Sequence, residues 1–346
     1  MERFSYLVRR LLLVIPTFLG ITILCFSLTR LLPGGPVEMR LMRMRGVGGS
    51  EGGGSAVAMQ VTEEYRKQLN AQFGFDKPIA VQYWNWLAVN KMGMTLPSND
   101  YPNKTAWDLI KSRFPVSLWF GLVSFVLTYL VCIPLGIAKA LKHNQAFDAF
   151  SSVVVFAAYA IPSFALAMML KALFCGTLDS LWDVFPLGGI SSDFDVEVSG
   201  WTRFADRAWH MALPVACYVS SHFALLTLLM KNSLLDQISA DYVRTVIAKG
   251  ASRKRAIWGH AFRNALIPIA TGVGSMFGVF FAGSVIIERI FEIPGMGRLS
   301  LDALEGRDYT VFLALLALTS LAMLIGGLIS DFLYMIIDPR IDFSKK

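Results

Sequence analysis

Six long apolar runs constrain this 346-residue chain more than any other feature of its sequence. Each run has at least 19 residues. As an α-helix, a run of that length spans about 28 Å, close to the roughly 30 Å hydrocarbon core of a bilayer. Lipid offers the backbone no hydrogen-bond partners, so helices are the expected form. The sequence therefore predicts an all-α integral membrane protein with six transmembrane helices, at 11–29, 116–141, 150–174, 211–230, 267–287 and 311–337.

The composition and charge fit this class. Hydrophobic residues make up 55% of the chain and charged residues 16%, whereas soluble domains carry about 25% charged residues. The net charge of +7 then reports on orientation in the bilayer, and we expect no nucleic-acid partner. The first run follows basic residues, as in a signal peptide, but it is longer than a signal core of roughly 7–15 residues, so we expect a retained span. No C-x-x-C pair occurs, and we expect buried thiols rather than disulfides or metal ligands at Cys25, Cys132, Cys175 and Cys217.

Lysine and arginine of the termini and short loops are concentrated on one face of the predicted bundle; the long segment 30–115 holds 11 more on the other face, but loops beyond about 60 residues do not follow the positive-inside rule. That face comprises both termini and the loops 142–149 and 231–266, and with its flanks it carries 15 basic residues, against 2 and 3 in the opposite loops 175–209 and 288–310. Short basic loops stay in the cytoplasm, so we predict that both termini are cytoplasmic. The predicted domains are an N-terminal span at 1–32, an extracytoplasmic loop subdomain at 33–115 with a glycine-rich insertion at 45–59 and a short helix at 62–74, and a transmembrane core at 116–346.

The loop 231–266 contains a basic island, ADYVRTVIAKGASRKRAIWGHAFRNALIP at 240–268, with the pattern of two short amphipathic helices. Gly250 is placed to end the first helix, because glycine accepts a left-handed conformation, and Ser252 is placed to cap the second, which runs toward Pro268. Charge alone favours a topology anchor at the lipid headgroups. An apolar stripe on the first helix favours docking into the groove of a partner instead: Tyr242, Val243, Val246, Ile247 and Gly250.

This island resembles the cytoplasmic coupling motif of ABC-importer permeases, in the form found in the peptide and oligopeptide (Dpp/Opp-like) group. The general family pattern is E-A-A, three residues, glycine, nine residues and I-x-L-P. Gly250 occupies the glycine position, Arg244-Thr245-Val246 the E-A-A position, and His260-Ala261-Phe262-Arg263 the I-x-L-P position. These departures match the peptide group and disfavour a sugar or phosphate permease.

The resemblance extends along the whole chain. YLVRRLLLVIPTFLGITILCF followed by LPGGP is similar to the start of the first permease subunit of peptide importers. IERIFEIPGMGRLSLDALEGRDYTVF is similar to the loop before its last span. The insertion at 45–59 and the DPRIDF ending resemble the Yej-type subgroup, which is associated with oligopeptide and microcin C uptake.

The resemblance implies a type I ABC-importer permease fold in the bacterial inner membrane. The implied partners are a second homologous permease subunit, ABC ATPase subunits, a periplasmic peptide-binding protein, a peptide substrate and membrane lipid. The chain has no Gly-Lys pair and hence no G-x-x-x-x-G-K-[ST] loop, so we expect no enzyme activity and no bound cofactor, with ATP and Mg²⁺ on partner subunits. ATPase coupling is expected at Asp241, Tyr242, Arg244, Val246, Ala248, Lys249, Gly250, Arg253, His260 and Arg263.

Polar residues inside the apolar runs are candidates for the translocation path. Ser220, Ser221 and His222 lie midway along the fourth run, where polar groups usually face a cavity or a partner. A histidine bonded to a neighbouring helix explains His222 at least as well. Asp331 lies deep enough to need a partner, and Lys231 is our candidate.

Two other classes of function stay open at this point. An intramembrane protease needs a nucleophile and a base on facing helices, or H-E-x-x-H, which the four histidines do not form. An ion-coupled secondary transporter usually has several deep acidic groups and inverted repeats. Asp331 is nearly alone among the apolar runs, and no repeat is visible, so we favour the ATP-driven importer.

Overall fold

A computed structural model describes residues 2–31, 64, 67, 70, 76–176, 182–192, 194 and 199–337. Apart from two isolated β-bridges, these ranges hold only helices, turns and loops, which confirms the all-α prediction. The insertion at 45–59, most of the helix expected at 62–74 and the DPRIDF ending lie outside the described residues. The helices are α1 (Glu2–Leu31), α2 (Ile79–Trp84), α3 (Ala106–Leu141), α4 (Ala146–Ala160), α5 (Ser163–Phe174), α6 (Gly200–Ser239), α7 (Asp241–Ala248), α8 (Arg253–Ala256), α9 (Phe262–Ala265), α10 (Ile267–Ala282), α11 (Val285–Ile290), α12 (Met296–Glu305) and α13 (Tyr309–Ile337).

Four helices within the described ranges, α1, α3, α6 and α13, are long and apolar enough to cross a membrane. The apolar window of α1 is only 11% buried within the chain, so most of its surface is available to lipid. The pair α4 and α5 makes a fifth candidate if it counts as one span bent by 92°. The run at 267–287 is interrupted, because the 16-residue α10 ends before Gly283, where φ is +66°. The expected count of six spans is therefore not confirmed.

The run at 150–174 is not the straight span that its hydropathy suggested. It breaks at Ile161, whose backbone is extended at φ −87° and ψ 117°, and α5 starts after Pro162. A residue before proline avoids the helical conformation, and proline has no N–H to donate, so the chain turns here. Other prolines in apolar runs, Pro16, Pro134 and Pro214, lie inside continuous helices, which membrane helices tolerate.

The chain divides into two compact units. The first comprises Met1–Leu12, Phe114–Arg298 and Ala322–Lys346, and the second comprises Leu13–Arg113 and Leu299–Leu321. In the first unit, one apolar cluster joins α3, α5, α6 and α11, and another joins α3, α6 and α10 with the folded island. Gly274 of α10 lies so close to Gly326 of α13 that an added Cβ would clash with the Gly326 carbonyl oxygen. Small residues allow this close packing of membrane helices.

A buried carboxylate organises the segment between α10 and α12. Glu288 is 0% exposed, and its oxygens accept hydrogen bonds from the N–H of Ser284 at 3.1 Å and of Arg298 at 2.8 Å. The Ser117 hydroxyl donates to Glu288 at 3.3 Å and accepts from the Met296 N–H at 2.7 Å. Burial raises the pKa of Glu288, although its donors oppose that rise.

In the second unit, Asp308 connects the loop before α3 to the start of α13. Its carboxylate accepts hydrogen bonds from the Ser98 hydroxyl, and from the Val311 N–H at 3.2 Å in the first turn of α13. Phe26 and Trp86, both nearly fully buried, pack against the same helix. These contacts give the segment around residues 80–110 a defined structure.

Candidate coupling site

The basic island folds into two helical segments that meet at a glycine, and we call residues 241–265 the corner. Gly250 has a φ of +93°, and its N–H bonds to the Ile247 carbonyl at 2.9 Å. The Ser252 hydroxyl accepts a hydrogen bond from the Arg255 N–H at 3.3 Å at the start of α8. The glycine turn and the Ser252 cap that the sequence predicted are both confirmed.

Apolar side chains hold the corner against the end of α6. Val243 is 1% exposed and Ala256 is 0% exposed, and both pack in one cluster with Leu234 of α6. The Ser233 hydroxyl of α6 donates to the Ala265 carbonyl at 2.9 Å. Because the attachment is buried and hydrogen-bonded, a force on the corner acts on α6.

The predicted apolar stripe of α7 is only partly directed inward. Val243 is buried and Val246 is half-buried in the cluster on α6, but Tyr242 and Ile247 remain 37% and 42% exposed. Successive side chains of a helix point about 100° apart, so a helix that packs along only one side cannot bury the whole stripe. Gly250 is exposed as well, and an added Cβ there would meet nothing within 4 Å.

The second helix of the corner is interrupted, which the sequence did not predict. A π-helical turn at Ile257–Ala261 separates α8 from α9. Within it, Trp258 is 46% exposed and its ring lies 5.3 Å from that of Phe262. The Asn264 amide donates to the Tyr242 hydroxyl at 3.1 Å, which ties α9 to α7. Such π turns often occur at functional positions of helices.

The outward surface of the corner combines cationic and apolar side chains. Ile247 and Trp258 are exposed beside several lysine and arginine side chains. The ion pair of Arg244 with Asp241, at 3.6 Å, is solvent-exposed and therefore weak. Such a surface can contact a partner by apolar burial and by charge. Apart from half-buried Val246, the expected coupling residues are all exposed on this corner: Asp241, Tyr242, Arg244, Ala248, Lys249, Gly250, Arg253, His260 and Arg263.

A buried ionic cluster joins α3, α4 and α6 near the corner. The Lys231 Nζ lies 2.8 Å from each carboxylate oxygen of Asp148, and the Lys139 Nζ lies 3.1 Å from one of them. Lys139 is 0% exposed and also donates to the hydroxyls of Ser151 at 2.9 Å and Ser152 at 2.7 Å. Sequence reasoning missed this cluster: it counted Lys139 as a flanking charge and assigned Lys231 to Asp331.

The expected pairing of Asp331 with Lys231 is wrong. Asp331 pairs with Arg10, whose guanidinium lies 3.1 Å from its Oδ2, and Lys231 pairs with Asp148. Asp148 lies in the first turn of α4, which packs against α6, so it satisfies the lysine there. An acid that is already paired is weak support for ion-coupled transport.

The three candidate path residues lie on α6. Ser221 and His222 are exposed and Ser220 is half-buried. The hydrogen bond of His222 goes to its own helix, from Nδ1 to the Tyr218 carbonyl at 3.2 Å, rather than to a neighbouring helix. The four cysteines are free thiols, and the part of the chain that the structure describes holds no group of acids, histidines and cysteines able to bind a metal.

Comparison with known proteins identifies the family. The profile of the family described as "Binding-protein-dependent transport system inner membrane component" matches residues 132–343, which include the corner and the ionic cluster. That match covers more than half of the chain.

Several relatives are similar over nearly the full length, among them three described next. The chain is 37% identical to the "Peptidoglycan transport system permease protein YejB" of Agrobacterium fabrum over 99% of each chain. It is 36% identical to the "Inner membrane ABC transporter permease protein YejB" of Escherichia coli O157:H7, over 99% of this chain and 100% of the relative. It is 32% identical to the "Dipeptide transport system permease protein DppB" of Escherichia coli K12 over 99% of each chain. These similarities favour an importer over the protease and the ion-coupled transporter. The chain thus belongs to the family of binding-protein-dependent ABC-importer permeases, multi-pass inner-membrane subunits that work with separate ATP-hydrolysing subunits.

Proposed function

We propose that this chain is one of two homologous permease subunits that form the translocation path of an importer for peptide-containing solutes. Two of the relatives named above are described as transporting peptidoglycan or dipeptides, and these substrates have peptide bonds in common. A periplasmic peptide-binding protein delivers the solute, and ATP and Mg²⁺ are bound by the ATPase partners. Both termini and the corner lie in the cytoplasm, as the distribution of basic residues indicates.

The observation that carries this proposal is the two-sided character of the corner. Its outward surface exposes Ile247, Trp258 and several bases, whereas Val243 and Ala256 fix its inner surface to α6. A topology anchor needs charge but no buried attachment to a transmembrane helix. When nucleotide binding moves the ATPase, the corner moves with it, and α6 carries that motion into the membrane.

Reconstitution tests the proposal directly. The full set of subunits is placed in proteoliposomes with the ATPase side facing the lumen and the binding protein outside, and uptake of a labelled dipeptide, a labelled pentapeptide and labelled maltose is compared with and without ATP trapped in the lumen. ATP-dependent uptake of peptides but not of maltose is expected. Peptide uptake that continues without ATP would instead support an ion-coupled transporter.

A further inference from the structure

Over the second half of α6, one face is left uncovered by the other residues that the structure describes. Ser221, His222, Leu225 and Leu229 are exposed on it, and Leu225 is 69% exposed. Their spacing of three or four residues places them along one side of the helix. The face leads from the middle of the span toward the corner.

The middle of the span is the wrong depth for a polar side chain that faces lipid. His222 lies eight residues before Met230, or about 12 Å from that end of the predicted span at 1.5 Å per residue. Ionisable and strongly polar groups at this depth face water, a solute or another protein chain. The exposed surface of His222 is therefore expected to face something other than lipid in the assembled transporter.

The hydrogen bond of His222 fixes which ring nitrogen is left to accept. A backbone carbonyl can only accept, so the bond to the Tyr218 oxygen at 3.2 Å requires Nδ1 to carry the proton. In the neutral ring, Nε2 is then a hydrogen-bond acceptor. The ring packs on Tyr218 at 4.8 Å, and Tyr218 in turn packs edge-on against buried Phe120 at 5.7 Å, so the acceptor is held in place.

The neighbouring serines are also hydrogen-bond acceptors on their exposed side. Ser220 and Ser221 both donate their hydroxyl protons to the Cys217 carbonyl, at 2.8 Å and 3.1 Å. The Ser221 hydroxyl oxygen therefore presents only its lone pairs to the exposed side. Together, Ser221 and His222 form a small surface that accepts hydrogen bonds and offers none.

We propose that this acceptor surface binds the N–H donors at the amino end of a peptide during its passage, foremost the α-ammonium group. The inference rests on the proposed peptide-import function and adds an orientation to it. A carboxylate has only acceptors and gains nothing from this surface, whereas an ammonium group has three donors and a charge. The apolar side chains of Leu225 and Leu229 continue the face and receive the side chains of the peptide.

Photo-crosslinking in the complete, peptide-loaded transporter tests the orientation. Two labelled tripeptides carry a diazirine analogue of leucine at either the first or the last position, and mass spectrometry maps the label on α6. The first-position probe should label 218–225 several-fold more than the last-position probe. His222→Leu, which removes the acceptor, should reduce that labelling about tenfold, the usual effect of losing a bond to a charged group.

Two matched variants and the uptake assay complete the design. His222→Gln keeps an acceptor oxygen and should retain most of the labelling, and Leu130→Ile, on an exposed position of α3, should change nothing. Equal labelling by both probes, or labelling that survives His222→Leu, would overturn the orientation. Loss of the second permease subunit on purification of His222→Leu would mean that the face is a subunit contact. If both tripeptides are imported without labelling α6, only this inference fails; if neither is imported, the proposed function fails with it.

Discussion

Lys231 donates to both carboxylate oxygens of Asp148 at 2.8 Å, and this contact ties the end of α6 to the first turn of α4. Lys139 brings a second cation to the same acid from α3, so a buried lysine and a half-buried lysine share one carboxylate. The contact lies on the part of α6 that leads into the corner. The helix that receives force from the corner is thus fixed electrostatically to α3 and α4.

Asp148→Asn should destabilise the assembled protein. Without the acid, the ammonium groups of buried Lys139 and half-buried Lys231 repel each other in a medium of low dielectric. The expected loss is about 3 kcal/mol, as for other broken buried ion pairs, and it should appear as a lower thermal midpoint of the detergent-purified complex. An unchanged midpoint would show that the cluster is not buried in the assembly.

Lys231→Met should be milder than Asp148→Asn, because it leaves Lys139 and Asp148 as a one-to-one pair. Combining the two substitutions should cost less than the sum of their separate effects, since the repulsion between the lysines is then gone. The double-mutant cycle by thermal unfolding measures this coupling. Strict additivity would contradict a shared cluster.

Gly250→Val should reduce transport while the chain still inserts and assembles. The φ of +93° costs a residue with a side chain about 1–2 kcal/mol in backbone strain, and more if it is β-branched. Space is not the obstacle, because an added Cβ meets nothing within 4 Å. Gly250→Asn is the matched control, since asparagine tolerates left-handed conformations better. Uptake by reconstituted complexes should fall at least several-fold for valine and much less for asparagine; equal rates would show that the turn conformation is unimportant.

Trp258→Ala should weaken binding of the ATPase partner. An exposed tryptophan at the centre of an apolar and basic surface has the character of an interface hot spot, and we expect about a tenfold loss of affinity. Trp201→Ala is the control, because Trp201 is 76% exposed at the opposite end of α6. For both variants, the detergent-solubilised complex is purified at decreasing concentrations, and the amount of ATPase that co-purifies is compared. Equal losses would argue against a specific role for Trp258.

Glu288 should make stability depend on pH in a defined direction. Its pKa in the folded chain is raised by burial, so the folded state holds the proton above the pH at which the unfolded chain releases it. The contribution of Glu288 is complete below its ordinary pKa and is lost as pH rises through the raised value. Thermal midpoints measured from acid to neutral pH should show this decline, and Glu288→Gln should flatten it. A thermal midpoint that rises with pH in the native chain but not in Glu288→Gln would contradict a raised pKa at Glu288.

Local chemistry was readable from the sequence, and long-range pairing was not. The long apolar runs, the turn at Gly250 and the cap at Ser252 each depend on a few neighbouring residues, so their patterns predicted them. Asp148 and Lys231 are 83 residues apart, and Ser117 and Glu288 are 171 residues apart. No spacing rule connects such pairs, which meet only once the helices pack. The misassigned partner of Asp331 has the same cause, since Arg10 lies near the other end of the chain.

The positions of prolines in the sequence do not tell which helices break or by what angle. Pro162, Pro134 and Pro214 all lie in apolar runs, yet only Pro162 accompanies a break, and the other two leave their helices continuous. The 92° bend between α4 and α5 depends on how each half packs against α6, which hydropathy does not report. The π turn at Ile257–Ala261 likewise arises where α8 and α9 must both fit the cluster on α6.

Site-specific crosslinking at the corner tests the central claim most directly. In a chain whose four native cysteines are replaced, single cysteines are placed at Arg244 or Lys249, both exposed on the corner, and at Arg203, exposed at the other end of α6. The assembled transporter is treated with bifunctional thiol reagents of several lengths. Cysteines at positions 244 and 249 should crosslink to the ATPase subunit with a yield that changes when nucleotide binds, and a cysteine at 203 should not. Failure of both corner positions at every linker length, in a complex that still imports peptide, would contradict energy transfer through the corner.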